Sequence, residues 1–148
     1  MRRAQKGGAG DEAIGRSRGG LSTKIHAAVD ALGYPLRLIL TPGQWHESGQ
    51  IDALIDGFGF AKLLGDKGYD SDRLRTIIAA RGAEAVIPSI GSRSQAIPHD
   101  RHVYKDRNLV ERFFNKIKHF RRIATRYDKT ASSFSAMLSI VATMIWLR

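Results

Sequence analysis

Residues 21–41 have the sequence LSTKIHAAVDALGYPLRLILT, and their pattern predicts two paired strands. From Leu21 to Val29 every second side chain is apolar except for Thr23, which is β-branched, and this alternation is typical of a strand with one buried face. The segment from Asp30 to Pro35 is rich in turn residues, and the LRLILT run at 36–41 has the composition of a second strand. The segment therefore predicts a β-hairpin.

Helical and strand patterns alternate after this hairpin. Apolar residues with helical spacing at 51–58 predict a helix that Ser48 could cap. Those at 74–78 predict a second helix, for which Asp70 or Ser71 could be the cap. The remaining predicted elements are short strands at 62–65 and 85–88, an irregular loop at 89–102, and helices at 108–122 and 131–147. Strands that alternate with helices predict a mixed α/β domain.

The composition is that of one folded domain without disulfides. The chain has 148 residues, of which 43% are hydrophobic, and it contains no cysteine. The longest apolar stretch, residues 134–147, is too short to span a bilayer. We therefore expect no membrane partner and a cytoplasmic protein.

Positive charge is concentrated at the two ends of the chain. The net charge of +10 divides into +4 for residues 1–24, −2 for 25–100 and +8 for 101–148. Residues 1–20, rich in Gly and Arg, are predicted to be a basic arm ahead of a domain at 21–148. This distribution favours a polyanionic partner such as nucleic acid, and the alternative is a solvated charged surface.

Asp66 is the first candidate for chemistry. It follows the predicted strand at 62–65 and lies in the sequence Gly65-Asp-Lys-Gly-Tyr-Asp70. In open α/β sheets, ligands and metals bind beyond the carboxyl ends of the strands, and a carboxylate there could hold a hard cation. The alternative is that Asp66 or Asp70 only caps a turn or the following helix.

Glu111 is the second candidate. On a helical projection it shares one stripe with Lys118 and Arg122, beside the apolar face of the predicted helix. Extending the helix backwards would add Arg107 and Tyr104 to the stripe. A carboxylate among cations could bind a divalent metal while its neighbours neutralise phosphates. The alternative is a capping box, because the spacing Asn108-x-x-Glu111 also fits that role.

Two other patterns carry little weight. The five histidines have no regular metal-ligand spacing, and the pair His46-Glu47 alone is a weak signal. The glycines near the amino terminus fit no phosphate-binding fingerprint, because no strand precedes them.

Four residues occur in an order and spacing that resemble the Tyr-Arg-Glu-Lys signature of bacterial insertion-sequence DDE transposases: Tyr104, Arg107, Glu111 and Lys118. Four longer segments resemble the insertion-sequence-five type of these enzymes. They are GRSRGGLSTKIH at 15–26, DKGYD at 66–70, YKDRNLVERFFNK at 104–116 and RRIATRYD at 121–128. The resemblance covers nearly the whole chain from Ile14 onward.

The resemblance implies a ribonuclease-H-like fold, in which a mixed sheet is flanked by helices and three carboxylates bind two Mg²⁺ or Mn²⁺ ions. By motif, Asp66 corresponds to the second carboxylate and Glu111 to the third, so both are expected to be catalytic metal ligands. The residues expected to bind DNA are Tyr104, Arg107, Lys118, Arg121 and Arg122. The implied reaction is metal-dependent cleavage of transposon inverted-repeat ends, followed by strand transfer into target DNA.

The first catalytic Asp of the family lies on a central strand upstream of the segment at 15–26. Neither Asp11, in the glycine-rich arm, nor Asp30, at the hairpin turn, fits that role. We therefore expect residues 21–148 to be the carboxyl-terminal portion of the catalytic domain, without the first central strand. It would need an upstream half or a full-length transposase, or an oligomer of itself, and would be associated with the nucleoid. The alternative is a truncated transposase that binds DNA without catalysis, as a regulator or a decayed remnant.

Overall fold

A computed structural model describes residues 13–18 and 20–148. Its first sheet is an antiparallel meander of β1 (Gly15–Ser17), β2 (Gly20–Val29) and β3 (Pro35–Pro42). At the turn between β2 and β3, Asp30 Oδ1 accepts hydrogen bonds from the backbone N–H groups of Leu32 and Tyr34, both at 2.9 Å. The predicted hairpin is confirmed.

A second sheet consists of the parallel pair β4 (Lys62–Leu64) and β5 (Glu84–Val86). Helix α2 (Asp72–Ala80) connects them, and Ser71 caps it, since its side chain accepts from the N–H of Leu74 at 3.2 Å. Ser71 rather than Asp70 is therefore the cap. The prediction of an α/β fold is confirmed, although the described strands form two separate sheets rather than one mixed sheet.

The remaining helices are α1 (Ile51–Ile55), α3 (Arg101–Tyr104), α4 (Asn108–Lys118), α5 (Arg121–Ala124) and α6 (Ala131–Trp146). Three short 3₁₀ turns lie at Glu47–Gln50, Lys67–Tyr69 and Lys105–Arg107. No helix within residues 13–18 and 20–148 has the length and apolar character needed to cross a membrane.

The alternation in β2 and β3 sends their side chains to two separate cores. Buried residues of α4, α5 and α6, among them Phe113 and Leu138, pack with Ile25, Ala27 and Leu40 of the sheet. Buried residues of α1 and α2 join a second core with Ala28 and Ile39. Because successive strand residues point to opposite faces, the antiparallel sheet lies between two helical layers.

Several boundaries differ from the sequence predictions. Ser48 does not cap α1, because it lies inside the turn Glu47–Gln50, which is capped by the side chain of His46. Helix α1 ends at Ile55, and Gly57 follows with a φ of 75° that only glycine adopts readily.

Two further differences concern segments predicted to be irregular. The strand Gly15–Ser17 lies in the stretch interpreted as the arm, of which residues 1–12 and 19 lie outside the described residues. The predicted loop at 89–102 ends two residues early, because the side chain of Asp100 accepts from the N–H groups of His102 and Val103 and so begins helix α3.

Candidate active site

Asp66 lies two residues beyond the end of β4, at the carboxyl edge of the parallel sheet. Its Oδ1 accepts a hydrogen bond from the N–H of Gly68 at 2.9 Å, so it caps the 3₁₀ turn Lys67–Tyr69. Asp66 therefore caps a turn, which was one of the two functions predicted for it. Asp66 also lines an open cleft. Because only one carboxylate oxygen makes this capping bond, the other can accept a hydrogen bond or coordinate a metal ion.

Glu111 lies on the first full turn of α4, and the capping-box interpretation is wrong. Asn108 has helical backbone angles, because α3 and the turn Lys105–Arg107 lead directly into α4 and leave no exposed helix start there. Glu111 is therefore not a reciprocal cap. Instead Arg107 Nη2 donates to Glu111 Oε1 at 2.5 Å, an i,i+4 pair one turn apart.

The two candidate segments meet at one cleft. Its volume is about 470 Å³, and it is lined by Glu47, Asp66, Lys67, Gly68, Pro88, Tyr104 and Arg107. Asp66 thus shares a cavity with Tyr104 and Arg107, and Glu111 is tied to that cavity through its ion pair with Arg107. The guanidinium of Arg107 also lies 5.7 Å from the centre of the Tyr104 ring.

Glu47 is a site residue that sequence reasoning missed. A Cβ atom added to Gly68 would lie 3.0 Å from Asp66 Oδ1 and 3.3 Å from Glu47 Oε2, so the two carboxylates converge over this glycine. Lys24 of β2 balances the charge, with Nζ 3.8 Å from Glu47 Oε1. The only sequence signal was the pair His46-Glu47, and there His46 serves as the cap of a turn.

The charges of Glu47 and Asp66 act on the neighbouring side chain of Tyr69. Burial, reinforced by the charges of Glu47 and Asp66, raises the pKa of Tyr69 to about 12. Tyr69 therefore stays protonated at neutral pH. A site with converging carboxylates attracts cations, and carboxylate oxygens are the ligands that Mg²⁺ and Mn²⁺ prefer.

The fit to a metal is partial. Within residues 13–18 and 20–148, no three carboxylate or imidazole groups lie close enough together to hold a metal ion. Asp66 supplies a carboxylate to the cleft, whereas Glu111 does not line the cleft and is engaged by Arg107. A complete oxygen-donor set would need a further ligand.

The other predicted DNA-binding residues lie along the end of α4 and on α5. Lys118 and Arg121 are exposed, and neither has an acidic partner among the described residues. Arg122 differs, because its Nη2 donates to Asp128 Oδ1 at 2.8 Å. Of the predicted DNA-binding residues, Lys118 and Arg121 are therefore the two cations with no acidic partner among the described residues.

Asp70, from the same DKGYD segment, has a structural function. Its carboxylate is fully shielded and accepts from Arg75 Nε, Arg93 Nε and the N–H of Ile90, each at 2.8 Å, and from Arg93 Nη2 at 2.9 Å. Hydrogen bonding from Arg93 is the main reason that the pKa of Asp70 lies well below its ordinary value. This clamp ties the segment after β5, which includes the cleft residue Pro88, to helix α2.

Comparison with known proteins identifies a family for this chain. A family model described as Transposase DDE domain matches residues 63–148, a range that contains Asp66 and Glu111. The chain is 42% identical over 130 residues to a transposase for insertion sequence element IS6501 of Brucella ovis, covering 86% of this chain and 100% of that protein. It is 31% identical over 135 residues to a transposase for IS402 of Burkholderia cepacia, covering 83% of this chain and 62% of that protein. No solved structure matches it. The chain therefore belongs to the DDE transposase family of bacterial insertion-sequence elements.

Proposed function

We propose that this chain supplies two of the three catalytic carboxylates, Asp66 and Glu111, to a transposase that cleaves transposon ends and joins them to target DNA. The observation that carries the proposal is the shared cleft, which brings Asp66 together with Tyr104 and with Arg107, the ion-pair partner of Glu111. Transposases act on DNA, and the net charge of +8 in residues 101–148 suits that substrate.

Each side chain has a distinct part in this proposal. Asp66 and Glu111 hold Mg²⁺ or Mn²⁺, which when bound supplies Lewis-acid activation of the attacking hydroxyl and neutralises the leaving oxygen. Arg107 faces the cleft and places a guanidinium where a DNA phosphate would lie beside Asp66. Tyr104 offers a half-buried ring and hydroxyl at the same wall, and exposed Lys118 and Arg121 extend the cationic surface.

The third carboxylate comes, in this proposal, from an upstream segment that completes a ribonuclease-H-like sheet. Among the described residues, positions 23–29 of β2 pair with β3 alone, and β4 pairs with β5 alone. Each sheet therefore has an edge that could accept another strand. A strand beside β4 would bring a carboxylate to the sheet edge where Asp66 lies, which fits the incomplete donor set.

The test uses the transposase assembled from this chain and its upstream half, with a duplex that ends in the element's inverted repeat. Asp66→Ala and Glu111→Ala should each abolish Mg²⁺-dependent cleavage, while the affinity for the duplex stays within a few-fold of wild type. Asp52→Ala is the matched control, because Asp52 is an exposed carboxylate paired with Arg73. Cleavage by Asp66→Ala at the wild-type rate would refute the catalytic assignment.

The chain on its own should be inactive or nearly so, and robust strand transfer by residues 1–148 alone would refute the need for an upstream half. A second candidate function is DNA binding without catalysis, which the free charges of Lys118 and Arg121 support. Duplex binding with no cleavage, even in the assembled transposase, would favour that second function.

A further inference from the structure

We infer that Glu47 is a further metal-binding residue of the cleft and holds a divalent cation together with Asp66, an inference that rests on the proposed function. Among the described residues, Glu47 and Asp66 are the carboxylates that line the cleft, whereas Glu111 does not line it. Mg²⁺ in proteins is usually bound through one or two carboxylates and keeps several waters. Two carboxylates from this chain are therefore enough to bind the cation.

The space between these two carboxylates is open because residue 68 is a glycine. A Cβ atom at Gly68 would lie 3.0 Å from Asp66 Oδ1 and 3.3 Å from Glu47 Oε2, which is closer than ordinary van der Waals contact. The backbone of Gly68 is not in the left-handed region, so its conformation does not require a glycine. The missing side chain instead leaves a cradle between two carboxylate oxygens, in which a small cation fits.

Two 3₁₀ turns hold these carboxylates in place. Asp66 caps the turn Lys67–Tyr69, and Glu47 begins the turn Glu47–Gln50, which is itself capped by the side chain of His46. The two turns pack against each other. A site whose ligands lie on anchored turns loses little conformational freedom when it binds an ion.

The charges around Glu47 leave one of its oxygens available. Lys24 Nζ lies 3.8 Å from Glu47 Oε1, which is beyond hydrogen-bond distance. Glu47 Oε2, the oxygen that converges with Asp66, accepts no hydrogen bond from the part of the chain that the structure describes. Two carboxylates that converge repel each other, and a divalent cation between them replaces this repulsion with attraction.

Titration of the full chain with MnCl₂, followed by the electron paramagnetic resonance signal of free Mn²⁺, tests this inference. Wild type should bind Mn²⁺, and Glu47→Gln should lower the affinity by about tenfold or more. Gly68→Ala retains both carboxylates but places a methyl group in the cradle, so it should also weaken Mn²⁺ binding. Gly49→Ala is the matched control, because a Cβ atom there would meet no described atom within 4 Å and its backbone is not left-handed.

A variant of Lys24 separates metal binding from a structural function of Glu47. Lys24→Ala should bind Mn²⁺ at least as tightly as wild type, because it removes a cation that competes for the same carboxylate. If Lys24→Ala weakened Mn²⁺ binding as much as Glu47→Gln, Glu47 would act through its ion pair and the inference would be overturned. Equal Mn²⁺ affinity of Glu47→Gln and wild type would overturn it as well, and so would the absence of Mn²⁺ binding by the wild type.

The inference and the proposed function share Asp66, but they can fail separately. Loss of cleavage in Glu111→Ala, together with an unchanged Mn²⁺ affinity in Glu47→Gln, would overturn this inference and leave the proposed function intact. Mn²⁺ binding that depends on Glu47, together with wild-type cleavage by Asp66→Ala in the assembled transposase, would overturn the proposed function alone.

Discussion

Replacing Asp70 with alanine is expected to lower the free energy of unfolding by about 3 kcal/mol, near the lower end of the range for breaking a buried ion pair. The carboxylate is fully shielded and accepts four hydrogen bonds. Its removal takes this acceptor from the N–H of Ile90 and from the guanidiniums of Arg75 and Arg93, although Arg93 keeps its contact with Asp72. The expected loss of unfolding free energy is near the lower end of that range because the side chains of Arg75 and Arg93 are 13% and 17% exposed and can regain some hydration.

Asp72→Ala is the matched control for this prediction. Asp72 also contacts Arg93, with Arg93 Nη1 2.7 Å from Asp72 Oδ1, but its side chain is 85% exposed. An exposed pair of this kind contributes at most about 1 kcal/mol. The two variants therefore remove a carboxylate from the same arginine and differ in burial.

The pH dependence provides a second measurement. The folded-state pKa of Asp70 lies below its ordinary value of 3.8, so its stabilising effect is present in full above that pH and is lost as the pH falls through the folded pKa. The difference in unfolding free energy between wild type and Asp70→Ala should therefore narrow by about 1 kcal/mol between pH 7 and pH 3.

Urea denaturation followed by circular dichroism measures both effects. Equal losses of unfolding free energy in Asp70→Ala and Asp72→Ala at neutral pH would refute the buried clamp. A difference in unfolding free energy between wild type and Asp70→Ala that widens on acidification would also refute it. If Asp70→Ala does not yield folded protein, Arg93→Ala takes its place in the experiment. That substitution removes two of the four hydrogen bonds to Asp70.

Three other substitutions test the cationic surface and the last helix. Lys118→Ala and Arg121→Ala should weaken binding to duplexes of any sequence and lower the slope of log affinity against log salt by about 1 each, as measured by fluorescence anisotropy. Arg73→Ala, which removes a cation already paired with Asp52, should leave that slope nearly unchanged, and equal slopes in all three variants would contradict the assignment. Thr130→Ala should destabilise the chain by about 1 kcal/mol in urea denaturation, because Thr130 caps α6 through the N–H of Ser133. A Thr130→Ser control should retain the cap, and an equal loss in both variants would contradict the capping argument.

The sequence predicted the elements that depend on residues close together in the chain. The hairpin of β2 and β3 follows from a two-residue alternation, and the start of α2 follows from a Ser71 side chain that reaches a backbone N–H three residues later. The capping-box interpretation of Glu111 failed because it depended on whether the preceding turn is helical. That turn is set by Asp100, eleven residues before Glu111 in the sequence.

The sequence by itself determined the α/β character, the positive charge of the carboxyl-terminal segment and the motif residues Asp66 and Glu111, because composition and spacing are properties of the chain. Only the tertiary structure decided that Glu47 converges with Asp66 and that Asp70 is a buried clamp for Arg93. Glu47 and Asp66 are distant in sequence, as are Asp70 and Arg93. Their contacts arise when the helices pack on the sheets, and no local pattern encodes which side chains then become neighbours.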